Sequence, residues 1–418
     1  MSGTMTVVGG QPLYGTVRIP AAKNSVLPLL AASLLCEGTV RLCGVPRLSD
    51  VEASLALLRG VGCEARRKGS DLVVEGPPQR CRLPEQEAGQ MRASILFAAP
   101  LLARLGRVET VFPGGCCIGA RPIDLHIDGL RQMGAQMQPG GAGRLVLTAP
   151  GGLHGVEYTL RLPSVGATET LLLAAATARG RTTLRGAACE PEIVDLTNFL
   201  NLCGARIEGA GTPVIRVEGR RCLMGAVFTP LPDRIFASTI ACAVAAAGGR
   251  VKMEGCRPAT FRPVLGLLSQ MGCTVERAGS RAEVTVARLG RLHGVGQVST
   301  GVYPGLATDA APLLAAALLR ADSPSSIRDQ IFERRFGCAE GFARMGARVR
   351  DEGRILHIEP TRTLCGARVE APDLRGGAAL VVAALGARGT SRIEGMEYIQ
   401  RGYADLGDTL SALGARIA

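Results

Sequence analysis

The stretch Asn24-Ser-Val-Leu-Pro-Leu-Leu-Ala-Ala-Ser-Leu-Leu35, followed by Gly38-Thr-Val-Arg-Leu42, decides the fold of this 418-residue chain. Its first part is apolar on nearly every side, which predicts a helix buried by its neighbours. Its second part predicts a turn and a short strand. Residues 50–58 then predict a second helix, with Asp50 as its cap or first-turn acid. The order of helix, strand and helix indicates an α/β unit.

The same unit recurs along the chain. Residues 166–175 again predict an apolar helix, Gly180-Arg-Thr-Thr-Leu184 a strand, and residues 193–202 a second helix with Asp195 as the expected cap or first-turn acid. Each second helix runs into a glycine, which favours the left-handed conformation that ends a helix. These glycines are spaced by 68 to 74 residues: Gly62, Gly134, Gly204, Gly272, Gly346 and Gly414.

Six such units predict two groups of three, each with its helices inside and its sheets outside. The chain is long enough for two domains with cores of their own. Because aromatic residues make up only 3% of the sequence and Trp is absent, we expect aliphatic cores.

The charge of the chain favours an anionic small substrate. The formal net charge is +12, and only three of the 48 basic residues are lysines. Arginine binds phosphate and carboxylate through paired hydrogen bonds. The arginines are dispersed and aromatic residues are few, so we expect no nucleic-acid partner.

The pattern of cysteines and histidines argues against a disulfide-bonded secreted protein and against a metal-binding protein. The chain has 14 cysteines but neither a Cys-x-x-Cys motif nor a signal-like start, and its four histidines are far apart. We therefore expect reduced thiols, a cytoplasmic protein and no metal site. The longest apolar run, residues 26–36, is too short to span a bilayer, so no membrane association is expected.

One segment concentrates reactive groups: Phe112-Pro-Gly-Gly-Cys116-Cys117-Ile-Gly-Ala-Arg121-Pro-Ile-Asp124-Leu-His126. Its glycines permit a loop in which a thiol faces a ligand. The guanidinium of Arg121 would favour the thiolate and could hold an anion beside it. From the residues alone, Cys116 and Cys117 are equally eligible.

Further motifs follow in order along the chain: Ala22-Lys23-Asn24, Met91-Arg92-Ala93-Ser94, Ser164-Val-Gly166-Ala-Thr168, Glu190-Pro-Glu-Ile-Val-Asp195, Pro232-Asp233-Arg234-Ile235, Thr308-Asp309, Ile331-Phe332-Glu333-Arg-Arg335-Phe336, Asp373-Leu-Arg375 and Arg401-Gly402-Tyr403. Together with the cysteine loop, they make the chain resemble the UDP-N-acetylglucosamine enolpyruvyl transferase family over essentially its full length.

The resemblance implies a fold and a reaction. The fold is α/β, with two inside-out α/β barrel domains of three βαβαββ-like repeats each. One domain would cover residues 23–231, the other residues 1–22 and 232–418, with the active site in the cleft between them. The reaction would transfer the enolpyruvyl group of phosphoenolpyruvate to the 3′-hydroxyl of UDP-N-acetylglucosamine and release phosphate. This is the first committed step of peptidoglycan precursor synthesis, and no cofactor is expected.

The resemblance also implies roles for individual residues. Cys116 would protonate the vinyl carbon and form an adduct with the three-carbon unit, with Cys117 a bystander. Lys23 would contact phosphoenolpyruvate, and Asp309 would act on the sugar hydroxyl as general base or orienting acceptor. The expected substrate-binding residues are Asn24, Arg92, Arg121, Pro122, Asp124, Leu125, Ser164, Val165, Gly166, Ile331, Arg335, Arg375 and Arg401.

The sequence departs from the family pattern at three places. Phe236-Ala-Ser238 replaces a segment that usually holds Glu and Gly, Ala21 replaces a glycine, and Ala307 replaces a proline. A paralogue that binds the nucleotide sugar without normal turnover is therefore an alternative. 5-Enolpyruvylshikimate-3-phosphate synthase shares the fold but lacks the Gly-Gly-Cys loop, and an RNA-binding protein would leave the cysteine and aspartate without a purpose.

Overall fold

The computed structural model describes residues 3–114, 118–119, 122–139, 141, 143–277 and 282–418. By their contacts these residues fall into two units. The terminal unit, named for the two chain ends, contains the residues up to Pro20, Ile118 and Gly119, and Pro232–Ala418. The middle unit takes the rest, from Ala21 to Leu231.

The middle unit contains the first three repeats. The first has helices Lys23–Ser33 and Ser49–Gly60 and strands Cys36–Glu37, Val40–Leu42, Glu64–Lys68 and Asp71–Glu75. The second has helices Glu85–Gln90, Ala98–Leu105 and Asp124–Gln132, the 3₁₀ helix Arg92–Phe97, and strands Arg107–Val111, Gln136–Gln138 and Arg144–Thr148. The third has helices Val165–Ala175 and Pro191–Leu202 and strands Glu157–Thr159, Arg181–Arg185, Arg206–Glu208, Val214–Glu218, Leu223–Met224 and Val227–Phe228.

The terminal unit contains the other three. The fourth repeat has helices Arg234–Ala247 and Arg262–Gln270, the 3₁₀ helix Pro258–Phe261, and strands Leu13–Arg18, Gly249–Glu254, Thr274–Glu276 and Glu283–Arg288. The fifth has helices Ala311–Leu318 and Ala339–Arg344, the 3₁₀ helix Thr308–Ala310, and strands Gly296–Ser299, Ser325–Arg328, Arg348–Asp351 and Ile355–Glu359. The sixth has helices Leu374–Gly386, Met396–Ile399 and Leu406–Ala412 and strands Arg368–Glu370, Thr390–Glu394, Arg416–Ile417 and Thr4–Val8.

The repeats share one strand topology. In the third, Glu157–Thr159 runs parallel to Arg181–Arg185, which pairs antiparallel with Val214–Glu218. The parallel pair is the crossover around the first helix, and the antiparallel strands follow the second helix. The fourth, fifth and sixth repeats have the same order of pairing. These are the βαβαββ-like units that the resemblance implies.

The helices lie inside and the sheets outside. In the terminal unit, the helices Arg234–Ala247, Ala311–Leu318 and Leu374–Gly386 pack against one another and are buried along almost their whole length. Several of the surrounding strands alternate buried residues with exposed or half-buried ones, as in Gly249–Glu254. Three separate sheets therefore cover a central bundle of aliphatic helices. The predicted inside-out α/β class is confirmed.

The six repeat glycines end their helices as predicted. Each lies two residues beyond the last residue of a second helix and has a positive φ, between 83° at Gly346 and 103° at Gly204. In the first repeat, Cys63 N–H donates to Leu58 O at 3.0 Å, and Ala205 N–H donates to Leu200 O at the same distance in the third. These are the hydrogen bonds of a Schellman cap, which only a left-handed residue permits without strain.

The two acids predicted as helix caps have different outcomes. Asp50 is the second residue of the helix Ser49–Gly60 and is a first-turn acid, as predicted. The prediction for Asp195 is wrong, because the helix starts at Pro191 and its first-turn acid is Glu192. Asp195 is buried one turn further on. Within the described residues, no helix is both long enough and apolar enough to cross a membrane.

Candidate functional site

Asp309 and two arginines form a largely buried, hydrogen-bonded cluster in the terminal unit. Asp309 Oδ1 accepts a hydrogen bond from Arg335 Nη2 at 2.8 Å, and Oδ2 accepts one from Arg375 Nε at 3.0 Å. The arginine side chains are 2% and 3% exposed, whereas that of Asp309 is 27% exposed. The carboxylate is thus fixed from the protein side and reachable from the solvent side.

Arg375 lies at the start of the helix Leu374–Gly386. Asp373 caps this helix by accepting hydrogen bonds from the N–H groups of Arg375 and Gly376, at 2.9 and 3.1 Å. The Arg375 guanidinium lies 5.4 Å from the ring centre of Tyr403. Burial disfavours the charged form, but the acidic groups around it, led by Tyr403 and Asp309, raise the pKa of Arg375 above its ordinary value.

One nitrogen of the Arg375 guanidinium takes no part in these contacts. Nη1 of Arg375 is buried and has no hydrogen-bond partner in the part of the chain that the structure describes. A buried N–H of a charged group without a partner is costly. An anionic ligand at this helix N-terminus would satisfy it, because the helix end also favours negative charge.

A further carboxylate, that of Asp329, is hydrogen-bonded to residues that flank this cluster in the sequence. It accepts hydrogen bonds from Thr308 Oγ1 at 2.5 Å and from the N–H groups of Ile331 and Phe332 at 2.8 and 2.7 Å. Arg335 Nε in turn donates to Thr308 O at 2.9 Å. Ile331, a predicted substrate-binding residue, is 39% exposed on this segment.

The departures from the family pattern are accommodated locally. Phe236 packs against Tyr403, with ring centres 5.8 Å apart, and Thr239 Oγ1 lies 2.8 Å from the Tyr403 hydroxyl. The divergent segment therefore supports the ring that faces Arg375. Ala307 has a φ of −63°, which is the angle that a proline ring would impose at this position. Ala21 is buried in the middle unit.

The last predicted arginine, Arg401, lies in the turn after the helix Met396–Ile399 and is half-buried. The next residue, Gly402, packs so closely on Leu374 that a Cβ would lie 2.9 Å from its side chain. This contact anchors the Arg401 turn at the start of the Arg375 helix. Elsewhere in the terminal unit, Ile118 O accepts a hydrogen bond from Arg334 N–H at 3.0 Å.

In the middle unit, Lys23 and Asn24 begin the helix Lys23–Ser33. The Lys23 ammonium donates to Asp50 Oδ2 at 3.2 Å, and both side chains are largely buried. Asp195, the misassigned cap, accepts a hydrogen bond from Ser25 Oγ and another from Leu231 N–H at 2.9 Å. It therefore ties the first turn of the Lys23 helix to the end of the middle unit.

Arg92 and Pro122 are in direct contact, because Arg92 Nη2 donates to Pro122 O at 2.8 Å. Asp124 opens the helix Asp124–Gln132 and pairs with Arg161 on the surface at 2.5 Å. Leu125 is buried. Arg92 thus braces the segment that leads into this helix.

Ser164, Val165 and Gly166 form the start of the helix Val165–Ala175. Ser164 caps it by accepting a hydrogen bond from Ala167 N–H at 3.3 Å. A Cβ on Gly166 would lie 3.0 Å from Cε1 of His126, whose Nδ1 lies 2.8 Å from Thr170 Oγ1. Only glycine fits against this imidazole without a shift, and the helix N-terminus beside it suits a phosphate group.

Three glutamates lie deeper in the same unit: Glu169, Glu190 and Glu192. Burial, and then the charges of Glu192 and Glu190, raise the pKa of Glu169 well above its ordinary value. Burial therefore favours the neutral form of the Glu169 carboxyl group. Sequence reasoning gave Glu169 no role.

Two residues of the predicted site, Cys116 and Arg121, lie outside the described residues, as does the predicted bystander Cys117. Among those that are described, no group of three or more His, Cys, Asp or Glu side chains could hold a metal ion. Sequence reasoning missed Asp329 and left Asp373 without a role. An aspartate two residues before Arg375, at the start of an apolar helix, is a capping signal, whereas nothing near Asp329 in the sequence points to Thr308.

The family model and two of the most similar curated proteins that this chain matches are carboxyvinyltransferases. Residues 7–410 match the family model described as EPSP synthase (3-phosphoshikimate 1-carboxyvinyltransferase). The UDP-N-acetylglucosamine 1-carboxyvinyltransferase 2 of Caldanaerobacter subterraneus subsp. tengcongensis is 40% identical over 416 residues, covering 99% of both chains. That of Carboxydothermus hydrogenoformans is 42% identical over 412 residues, covering 98% of both.

Two solved structures of enolpyruvyl transferases have the same fold as this chain. The enolpyruvyl transferase NikO from Streptomyces tendae superposes with a TM-score of 0.88 at 27% identity, covering 99% of this chain and 98% of that one. EPSP synthase from Acinetobacter baumannii has the same fold, with a TM-score of 0.75 at 21% identity and 99% coverage of both chains. The chain therefore belongs to the EPSP synthase (3-phosphoshikimate 1-carboxyvinyltransferase) family and, within it, to the UDP-N-acetylglucosamine 1-carboxyvinyltransferases.

Proposed function

We propose that this protein transfers the enolpyruvyl group of phosphoenolpyruvate to the 3′-hydroxyl of UDP-N-acetylglucosamine, with release of phosphate. The product is a precursor of peptidoglycan, and we place the reaction in the cytoplasm. The observation that carries the proposal is the Asp309 carboxylate, which is held by two buried arginines and is partly exposed to solvent. The full-length similarity to transferases named for this acceptor supports the choice of substrate.

Asp309 acts on the acceptor hydroxyl. A sugar hydroxyl is a poor nucleophile, and a carboxylate that accepts its hydrogen bond orients its oxygen and can receive its proton. Arg335 and Arg375 hold both oxygens of Asp309 and so prevent it from rotating away. Positioning of this kind is a large part of what an enzyme contributes to a two-substrate reaction.

Arg375 and Arg401 bind the anionic groups of phosphoenolpyruvate in this scheme, together with Lys23 and Arg121. The unpartnered Nη1 of Arg375 supports the assignment, because a phosphate or carboxylate oxygen would complete its hydrogen bonding. Gly166 and the N-terminus of its helix would receive the diphosphate of the nucleotide.

Cys116 supplies the proton in the addition step. Its thiol protonates the methylene carbon of phosphoenolpyruvate while the sugar oxygen bonds to the neighbouring carbon and loses its own proton. In the elimination step, the methylene carbon returns a proton and the C–O bond to phosphate breaks. The enol ether is restored on the sugar, and the cysteine is left as it began.

The test is phosphate release from phosphoenolpyruvate in the presence of UDP-N-acetylglucosamine, with shikimate 3-phosphate as the rival acceptor. We expect release with the nucleotide sugar only. Cys116→Ala should abolish release, whereas the matched variant Cys117→Ala should keep it. The proposal fails if the native protein releases no phosphate, if shikimate 3-phosphate is the better acceptor, or if only Cys117→Ala is inactive.

A further inference from the structure

Asp329 is fully buried, and yet none of the described residues forms an ion pair with it. Its charge is met by three hydrogen bonds, one from the Thr308 hydroxyl and two from the N–H groups of Ile331 and Phe332. Burying a carboxylate without a cation is expensive, even when its oxygens are hydrogen-bonded. An apolar residue would serve a purely structural purpose at lower cost.

The three donors belong to two segments that are both part of the candidate site. Oδ2 holds Thr308, the residue before Asp309, and Oδ1 holds the segment of Ile331. Arg335 joins the same two segments from the other side, because it lies four residues after Ile331 and donates to both Thr308 O and Asp309 Oδ1. Asp329 and Arg335 therefore set the distance between the Asp309 carboxylate and the exposed Ile331 side chain.

We propose that Asp329 is a positioning residue that acts through Thr308 on the carboxylate of Asp309 and through the backbone of Ile331 on the nucleotide sugar. The inference rests on the proposed function, which gives Asp309 to the acceptor substrate, and on the prediction that Ile331 binds substrate. Asp329 makes two sets of hydrogen bonds, which we call the Thr308 arm and the Ile331 arm, and their consequences are separable. The Thr308 arm orients the group that acts on the hydroxyl, and the Ile331 arm shapes the surface that receives the sugar.

Thr308→Val removes the hydroxyl donor and keeps the shape of the side chain. We expect kcat to fall about tenfold, the cost of one hydrogen bond to a charged group, with the KM for UDP-N-acetylglucosamine changed less than about twofold. Thr308→Ser keeps the donor and should restore kcat to within about twofold of the native value.

Asp329→Asn weakens both arms because it removes the negative charge that strengthens all three hydrogen bonds. We expect a similar fall in kcat and, in addition, a rise of about tenfold in the KM for UDP-N-acetylglucosamine, with the KM for phosphoenolpyruvate unchanged. The double variant with Thr308→Val should lose less kcat than the two single variants would together, because both remove the same hydrogen bond.

Circular dichroism and thermal melting establish that each variant is folded, and Thr308→Val keeps the test available if Asp329→Asn is not. Calorimetric binding of UDP-N-acetylglucosamine provides a readout besides turnover. The inference is overturned if folded Thr308→Val keeps the native kcat, or if folded Asp329→Asn binds the nucleotide sugar with native affinity. A native protein that binds the nucleotide sugar without releasing phosphate would instead overturn the proposed function.

Discussion

Arg375 donates from Nε to Asp309 Oδ2 at 3.0 Å, and this hydrogen bond joins the first helices of two successive repeats across 66 residues of sequence. The guanidinium is buried, stacked near Tyr403 and still has one nitrogen without a partner among the described residues. It therefore orients the carboxylate on one side and can bind an anion on the other.

Arg375→Lys should lower kcat/KM about 100-fold, because one ammonium group cannot both hold Asp309 and bind an anion as a forked guanidinium does. The measurement is steady-state phosphate release as a function of both substrates. Arg368→Lys, on an exposed strand of the same repeat, is the matched control and should keep native kinetics. Equal activities for the two variants would remove Arg375 from the site.

Gly166→Ala should weaken binding of the nucleotide sugar, because the added methyl would lie 3.0 Å from the His126 ring at the helix N-terminus. We expect the Kd for UDP-N-acetylglucosamine to rise about tenfold, because making room for the methyl shifts the helix N-terminus whose N–H groups we assign to the diphosphate. Calorimetric titration measures it. Gly151→Ala in the same unit has no atom within 4 Å of the added methyl and should bind normally. Native affinity in Gly166→Ala would show that no nucleotide group approaches here.

The repeated fold could be predicted because each unit carries its own local signals. An apolar helix, a short strand and a glycine after the second helix recur six times, and each signal acts within a few residues. The glycines of all six units have the predicted positive φ. Local rules of this kind do not depend on what packs against the unit.

The site was less predictable because its contacts are between distant residues. Asp195 lies near the start of a helix in the sequence, but its partners are Ser25 and Leu231, far away along the chain. The same holds for Asp329, since its hydrogen bond to Thr308 joins the residue after the strand Ser325–Arg328 to a 3₁₀ helix 21 residues earlier in the chain. The predicted site residues came from the family resemblance, and their substrate contacts stay predictions.

Gly346→Ala should destabilise the protein by about 1 kcal/mol, because an alanine must adopt a left-handed conformation there. The space itself is open, with the nearest atom, Thr363 O, at an ordinary 3.7 Å from the added methyl. Gly266→Ala, at an exposed position of the helix Arg262–Gln270 in the same unit, should instead stabilise the protein by about 0.5–1 kcal/mol. Thermal and urea unfolding measure both. Equal stabilities would contradict the role of the repeat glycines.

Glu169 should make the stability of the middle unit depend on pH. Its pKa is raised from the ordinary 4.5 by burial and by Glu192 and Glu190, so the folded state keeps a proton that the unfolded state releases. Stability is therefore greatest below pH 4.5 for this group and falls as pH rises toward the folded pKa.

Glu169→Gln removes that proton exchange. The variant should be more stable than the native protein at neutral pH, and the difference should grow as the pH rises above 4.5 toward the folded-state pKa. Denaturant unfolding at a series of pH values measures it, with the exposed Glu208→Gln as control. A difference that does not change with pH would mean that Glu169 is ionised in the folded protein.

The most direct test of the central claim is the mass of the nucleotide sugar after incubation with phosphoenolpyruvate and the native protein. We predict that UDP-N-acetylglucosamine gains one enolpyruvyl group, that one phosphate appears for each molecule converted, and that Asp309→Asn slows both together. An unchanged nucleotide sugar, with or without release of phosphate, would contradict the account.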